Sequence, residues 1–427
     1  MPSSKRPPLT PEAAAVVRAL VGGRLSRRSL LRGTGALGLG AALTACGMGG
    51  GSTNSDGAST SPLSPGTDIS DTEKSVSWAN FALYLDKDDA TKTFPTLEAF
   101  RKKTGITVTY TEEIEDNDLY YGKVQAQLRQ GQDIGRDVVV FTDWMAARVI
   151  QDGWVQKLDK SIIPNASNIL DTLKNVDFDR GRNYSLTWQS GFTGLGWNVA
   201  KLKELTGKTE MRTLDELWDP RLKGRVEVLS EMRDTIGLIL LAQGVRPDRD
   251  FTQQKFDAAV SVLDKQLSSG QIRQVRGSSY KDDLISGDAV AVIGWSGDFL
   301  QLNLEAGSGG AQAVPYGFAI PESGGMLWSD NLLIPIGSRH KANAEILMNY
   351  YYDPKVAAVV AAYVNYICPV KGVQEEIVKI KGVDPEIVKS PYVFPTQAQL
   401  AKVHVFRNLS GQEEKDFSGV FHSLVGV

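Results

Sequence analysis

The sequence predicts an open-sheeted α/β fold on two observations. From Val76 onward apolar runs alternate with helical patterns, and the runs are continuous rather than alternating. Continuous runs mark strands covered on both faces, as in a parallel sheet flanked by helices. The elements follow in order. Val76 to Phe81 predicts a strand; Leu97 and Phe100, one turn apart, predict a short helix that stops at Gly105. Ile106 to Tyr110 and Val138 to Phe141 predict two more strands, the second followed by a helix over Met145 to Gln151. Val226 to Leu229 reads as strand, Ile236 to Leu241 as helix, and Ala289 to Ile293 as another buried strand. No internal repeat of fixed period occurs.

Length and composition bound the function. A chain of 427 residues predicts two or three domains, and 42% hydrophobic with 23% charged residues excludes wholesale disorder. The formal net charge is −3, so nothing marks nucleic acid as a main partner. Three histidines (His340, His404, His422) and two cysteines (Cys46, Cys368) form no clustered zinc motif. No metal or other cofactor is expected.

Residues 1–45 read as an address. Ser26-Arg27-Arg28-Ser29-Leu30-Leu31-Arg32 opens a Gly/Ala-rich apolar stretch too short to span a membrane. Paired arginines before such a stretch indicate twin-arginine export. Leu43-Thr44-Ala45-Cys46 has the form of a lipobox, in which the Cys46 thiol accepts the diacylglyceryl group. Two acyl chains give stable anchoring. Seven of the 47 basic residues and one of the 50 acidic residues precede Cys46, so the processed chain carries a net charge of −9. Residues 46–73, mostly Gly, Ser, Thr, Asp and Pro, read as a flexible tether. The expected location is the outer face of the cytoplasmic membrane, periplasmic where an outer membrane exists.

The strand ends carry the candidate site. In open α/β sheets, ligands bind beyond the carboxyl ends of the strands. Thr142, Asp143 and Trp144 follow Phe141; Ser230, Glu231, Arg233 and Asp234 follow Leu229; Trp295 and Asp298 follow Ile293. Acids with aromatics suit an organic cation, since each aromatic face attracts ammonium by roughly 0.5–2 kcal/mol. Each residue also has a plain structural reading. Ser230 and Thr142 could cap helices, Glu231 and Asp234 could serve a helix dipole, and Trp295 could be core.

Four segments extend this picture: Asp215-Glu216-Leu217-Trp218-Asp219-Pro220-Arg221-Leu222-Lys223-Gly224-Arg225-Val226, Ile320-Pro321-Glu322-Ser323-Gly324-Gly325 through Trp328-Ser329-Asp330, Arg136 to Phe141, and Asn365-Tyr366-Ile367-Cys368-Pro369. Together they resemble the spermidine/putrescine-binding proteins of bacterial ABC importers. The resemblance covers nearly all the chain from Val76, with Leu222 standing where the family usually has an aromatic. It implies a two-lobed, periplasmic-binding-protein-like fold of type II, with a hinge and a ligand in the cleft. Lobe 1 is expected over 74–188 and 325–366, lobe 2 over 189–324 and 367–427. The resemblance implies polyamine-binding roles for Phe81, Tyr84, Thr142, Trp144, Glu231, Asp234, Trp295, Trp328, Asp330 and Tyr366, and an ABC permease as partner. At Leu83 the family carries an acid that grips one amine, which leaves Asp143 or Asp298 to compensate.

Two rivals remain. An enzyme is disfavoured, because Gly294-Trp295-Ser296-Gly297-Asp298 lacks the last glycine of a nucleophile elbow and no histidine stands in a triad context. A receptor for another small cation or for ferric iron is the alternative, Tyr350-Tyr351-Tyr352 being its candidate ligands.

Overall fold

A computed structural model describes residues 63–426 except 89, 250 and 309–314. The expected export signal and Cys46 lie outside the described residues. β1 (Ser75–Phe81) buries Val76, Trp78 and Ala79. α1 (Pro95–Thr104) starts with proline in its first turn, buries Leu97 and Phe100, and ends where Gly105 turns left-handed at φ 74°. Glycine takes that conformation without a Cβ clash. β2 (Thr107–Ile114) pairs parallel with β1 along the sheet edge, and its charged Glu112 and Glu113 blunt that edge. α2 (Asn117–Arg129), capped by Asp116, leads to β3 (Val138–Thr142), whose Val138 to Phe141 are all buried, and then to α3 (Asp143–Gln151).

The second half adds β4 (Ser185–Asn198), α4 (Val199–Thr206), β5 (Val226–Leu229), α5 (Met232–Ala242), α6 (Gln253–Ser268), β6 (Ile272–Arg276), α7 (Tyr280–Ser286) and β7 (Ala291–Trp295). Then come α8 (Ser296–Ser308), β8 (Tyr316–Ala319), β9 (Gly325–Leu333), α9 (Lys341–Tyr351), α10 (Pro354–Val364), β10 (Val403–His404) and α11 (Gly411–Val425). One sheet runs in the order β2-β1-β3-β9-β4-β7-β5-β6, with β8 beside β4 and β10 beside β9. All the predicted strands and helices are present.

The expectation of parallel strands needs correction at the centre. β4 runs antiparallel to β7, β8 and β9, and β9 runs antiparallel to β3, so the sheet is mixed. β4 escapes an apolar-run reading because it is written SLTWQSGFTGLGWN, yet thirteen of its fourteen residues are buried. Its ends serve two cores. Leu186 and Trp188 join a first core with Trp78, Phe141, Leu333, Leu347 and Val360; Leu195 and Trp197 join a second with Leu229, Ile239, Phe256, Ile293 and Phe417.

Two boundaries differ from the sequence reading. Residues 368–393 were expected in the second lobe, but Cys368, Val373, Ile377 and Val393 pack in the first core, and the chain rejoins the second core at Phe406. Residues 63–73 were read as tether, but they lie against the body. Gly66 N–H donates to Ile336 O at 2.8 Å, Ile69 N–H to Arg339 O at 2.8 Å, and buried Asn343 donates to Glu73 O at 2.7 Å. A polar composition is no bar to packing where backbone groups meet backbone partners.

Candidate functional site

A single cleft of about 800 Å³ is lined by all ten sequence-predicted residues, Phe81, Tyr84, Thr142, Trp144, Glu231, Asp234, Trp295, Trp328, Asp330 and Tyr366. Strand register sets much of this. On β9, Asp330 lies opposite Thr142 of β3 and Trp328 opposite Gly191 of β4; on β7, Trp295 lies opposite Thr193 of β4. Glu231 is the N-cap residue of α5 and Asp234 sits in its first turn.

The hydrogen bonds speak against the capping alternative. Thr142 occupies the N-cap position of α3, but its side chain makes no capping bond. Its hydroxyl donates instead to Asp330 Oδ1 at 2.7 Å, while Tyr84 O–H donates to Asp330 Oδ2 at 2.8 Å. Asp234 accepts from Thr193 O–H at 2.7 Å and from Trp295 Nε1–H at 2.9 Å. Glu231 accepts from the Asn117 amide at 2.8 Å. Ser230 caps nothing; the N-cap position falls one residue later, at Glu231.

Glu231, Asp234 and Asp330 thus have only neutral donors in hydrogen-bond contact. Burial disfavours their charged forms. Desolvation raises Glu231 to about 8, helped by the charges of Asp118 and Asp234. Desolvation likewise raises Asp330 to about 7 and Asp234 to about 6. Asp143 is also raised by desolvation, to about 6, but its carboxylate accepts from Asn331, which in turn accepts from the Arg182 guanidinium at 2.8 Å. Asp298 accepts from Tyr280 O–H at 2.7 Å, Tyr366 O–H at 2.8 Å and Lys281 Nζ at 3.2 Å. Both acids suggested as substitutes for the missing one at Leu83 are therefore engaged within the protein. Leu83 itself lines the cleft at φ 59°, its N–H donating to Glu112 Oε1 at 2.9 Å.

The rings form a connected wall. Centroids are 5.9 Å apart for Phe81 and Tyr84, 5.6 Å for Tyr84 and Tyr366, 5.4 Å for Tyr366 and Trp328, and 6.3 Å for Trp328 and Trp295. Two glycines make room for it, and sequence reasoning passed over both. A Cβ on Gly191 would run into the Trp328 indole, and one on Gly297 would lie 2.6 Å from the Tyr366 ring. Trp144 stands outside the wall: the Arg233 guanidinium covers its ring at 4.2 Å and pairs with Glu414. Asn117, 1% exposed, was also missed, because its polar neighbours Asp116 and Asp118 read only as a helix start.

The rival constellations do not assemble. Tyr350 O–H donates to Thr96 O at 3.1 Å, Tyr352 O–H to Thr187 O at 2.6 Å, and Tyr351 shares a 3.0 Å bond with the Thr96 hydroxyl. None of the three lines the cleft, and among the described residues no three His, Cys, Asp or Glu side chains come together as a metal site. The Ser296 hydroxyl accepts from Phe192 N–H at 3.2 Å.

Comparison with known proteins agrees with this architecture. Residues 96–394 match the family described as bacterial extracellular solute-binding protein. The chain is 27% identical over 273 residues to the spermidine/putrescine-binding periplasmic protein of Escherichia coli (strain K12), covering 64% of this chain and 73% of that one. It is 28% identical over 332 residues to the putrescine-binding periplasmic protein SpuD of Pseudomonas aeruginosa (strain UCBPP-PA14), covering 75% and 85%. The fold is similar to that of the spermidine/putrescine ABC transporter substrate-binding protein of Streptococcus pneumoniae, with TM-score 0.64, 22% identity and coverage of 82% and 98%.

Proposed function

The chain belongs to the bacterial extracellular solute-binding proteins, and from that premise we propose that it captures a spermidine- or putrescine-like polyamine and delivers it to the permease of an ABC importer. One observation carries the reading: three carboxylates without a cationic partner in hydrogen-bond contact share a cleft with a wall of five aromatic rings. In this reading Glu231, Asp234 and Asp330 hold ammonium groups. Charge-assisted hydrogen bonds contribute about 1.5–3 kcal/mol each, and they offset the desolvation of charge on both partners. Trp295 and Trp328 cover the methylene chain and add cation–π attraction; Phe81, Tyr84 and Tyr366 extend the cover. Thr142 orients Asp330, and Trp144 meets Arg233 where the lobes close. No bond of the ligand is broken, and hinge closure is the signal that the permease reads.

Leu83 favours a second form of this reading, a cation whose end near the cleft mouth is uncharged. Thermal denaturation of the full chain with micromolar spermidine, putrescine and a monoamine of matched length separates the two forms, since a ligand selective for the folded state raises the melting temperature. Stabilisation by spermidine or putrescine above the monoamine supports the polyamine; the reverse supports the second form. No shift with any amine overturns both. Delivery is proposed from the outer face of the cytoplasmic membrane, with Cys46 lipidated after twin-arginine export. Cys46→Ala is expected to move the protein from the membrane to the soluble fraction, and persistent membrane attachment would reject the anchor.

A further inference from the structure

The α2 N-terminus reaches across the cleft at Asn117. The helix belongs to the first core through Tyr120, Val124 and Leu128, whereas Glu231 stands at the head of α5, whose Met232 and Ile236 belong to the second. The Asn117 side chain makes three hydrogen bonds, and its backbone N–H adds a longer one to Glu231 Oε1 at 3.4 Å. Its Oδ1 accepts from Thr142 N–H at 3.0 Å; its Nδ2 donates to Thr142 Oγ1 and to Glu231 Oε1, both at 2.8 Å. Thr142 passes the interaction on to Asp330. A single amide therefore holds one acid of each lobe.

We propose that Asn117 is a positioning residue that couples lobe closure to the charge of the site. Swinging the lobes apart breaks the Asn117–Glu231 bond while leaving the Asn117–Thr142–Asp330 chain intact within the first lobe. Closure restores it and so presents Glu231 to the cleft in a fixed orientation. This inference rests on the cation-binding reading for its ligand arm, but not for its conformational arm. Groups facing the junction are Asp116 and Asp118 on α2, His422 on α11 (3.2 Å from Asp118), Glu115 before α2 and Asp234 on α5.

Two variants test it in the full chain. Asn117→Ala removes the side-chain bridge and leaves only the 3.4 Å backbone contact to Glu231, and Asn117→Asp keeps the shape and the acceptor for Thr142 N–H while setting a carboxylate against Glu231. With spermidine and putrescine as probes at pH 8, both variants are expected to bind about tenfold more weakly, mainly through faster dissociation. For Asn117→Asp the deficit relative to wild type narrows at pH 5.5, because a proton shared by the acid pair restores a donor. A merely structural role gives a deficit independent of pH. Small-angle scattering of the ligand-free proteins is the second arm: Asn117→Asp is expected to be more expanded than wild type at pH 8 and to match it at pH 5.5. Equal dimensions at both values overturn the inference, even if wild type binds neither amine, a result that would separately reject the polyamine reading. Wild-type binding with no deficit in either variant, or with a pH-independent deficit in Asn117→Asp, also overturns it.

Discussion

Asp330 concentrates the chemistry of the cleft in one side chain. It is 4% exposed, accepts two hydroxyl protons, and meets no cation within hydrogen-bond reach. Asp330→Asn keeps the volume and removes the charge, so calorimetry with spermidine is expected to show a loss of about 1.5–3 kcal/mol. Unchanged affinity would assign the residue to structure alone. Asp330 was legible only through the resemblance, whereas Glu231, Asp234 and Trp295 stood out as acids and an aromatic just beyond predicted strands. Asn117, Gly191 and Gly297 were not legible. Their roles exist only through partners distant in the chain: Glu231 for the first, Trp328 for the second, Tyr366 for the third. Asp298 was legible as an acid near the site, but its two tyrosine hydroxyls and lysine come from segments that no local pattern connects to it.

Among the elements, short apolar strands were readable and the two longest strands were not. Val138 to Phe141 and Val226 to Leu229 have one environment along their length, and one environment produces one kind of residue. β4 passes through three environments, from first core to cleft to second core. Its sequence therefore mixes leucine and tryptophan with serine, threonine, glutamine and glycine. Gly191 sits where β4 passes under the Trp328 indole. Gly191→Ala is expected to displace that ring, weaken amine binding about tenfold or more, and alter tryptophan emission while far-UV circular dichroism keeps its form. An unaltered emission spectrum together with unaltered affinity would show that the close approach is dispensable. Only the resemblance, through its Trp328-Ser329-Asp330 segment, pointed to β9; periodicity alone left it unread.

At the scale of the molecule, two cores share one sheet, and the acids lie between them. Glu231, Asp234 and Asp330 are all raised by desolvation, to about 8, 6 and 7. The sign follows from the linkage relation. An acid whose folded value lies above its unfolded value stabilises the fold fully below the unfolded value, and that contribution is lost as pH rises through the folded one. The ligand-free protein is therefore expected to lose thermal stability between about pH 4 and pH 8 through these groups. A cation lowers the same values, so binding releases protons and affinity rises with pH over about 5.5 to 8.5. Calorimetry in buffers of different ionisation enthalpy counts those protons; none released would exclude these carboxylates as the amine's partners. The fold class was legible at this scale from the rhythm of runs and helices. The lobe boundaries were not, because residues 368–393 stay in the first core that the chain enters again at Leu332, with no break in composition to mark where it leaves.

The contacts of residues 63–73 have a mechanical consequence. Gly66, Ile69 and Glu73 are fastened to the stretch from Ile336 to Asn343, beside the helix whose Leu347 packs in the first core. Residues 63–73 are thus moored to the first core. Fastened on that side, the segment need not be peeled away or stretched when the half of the molecule built on the second core shifts against the first.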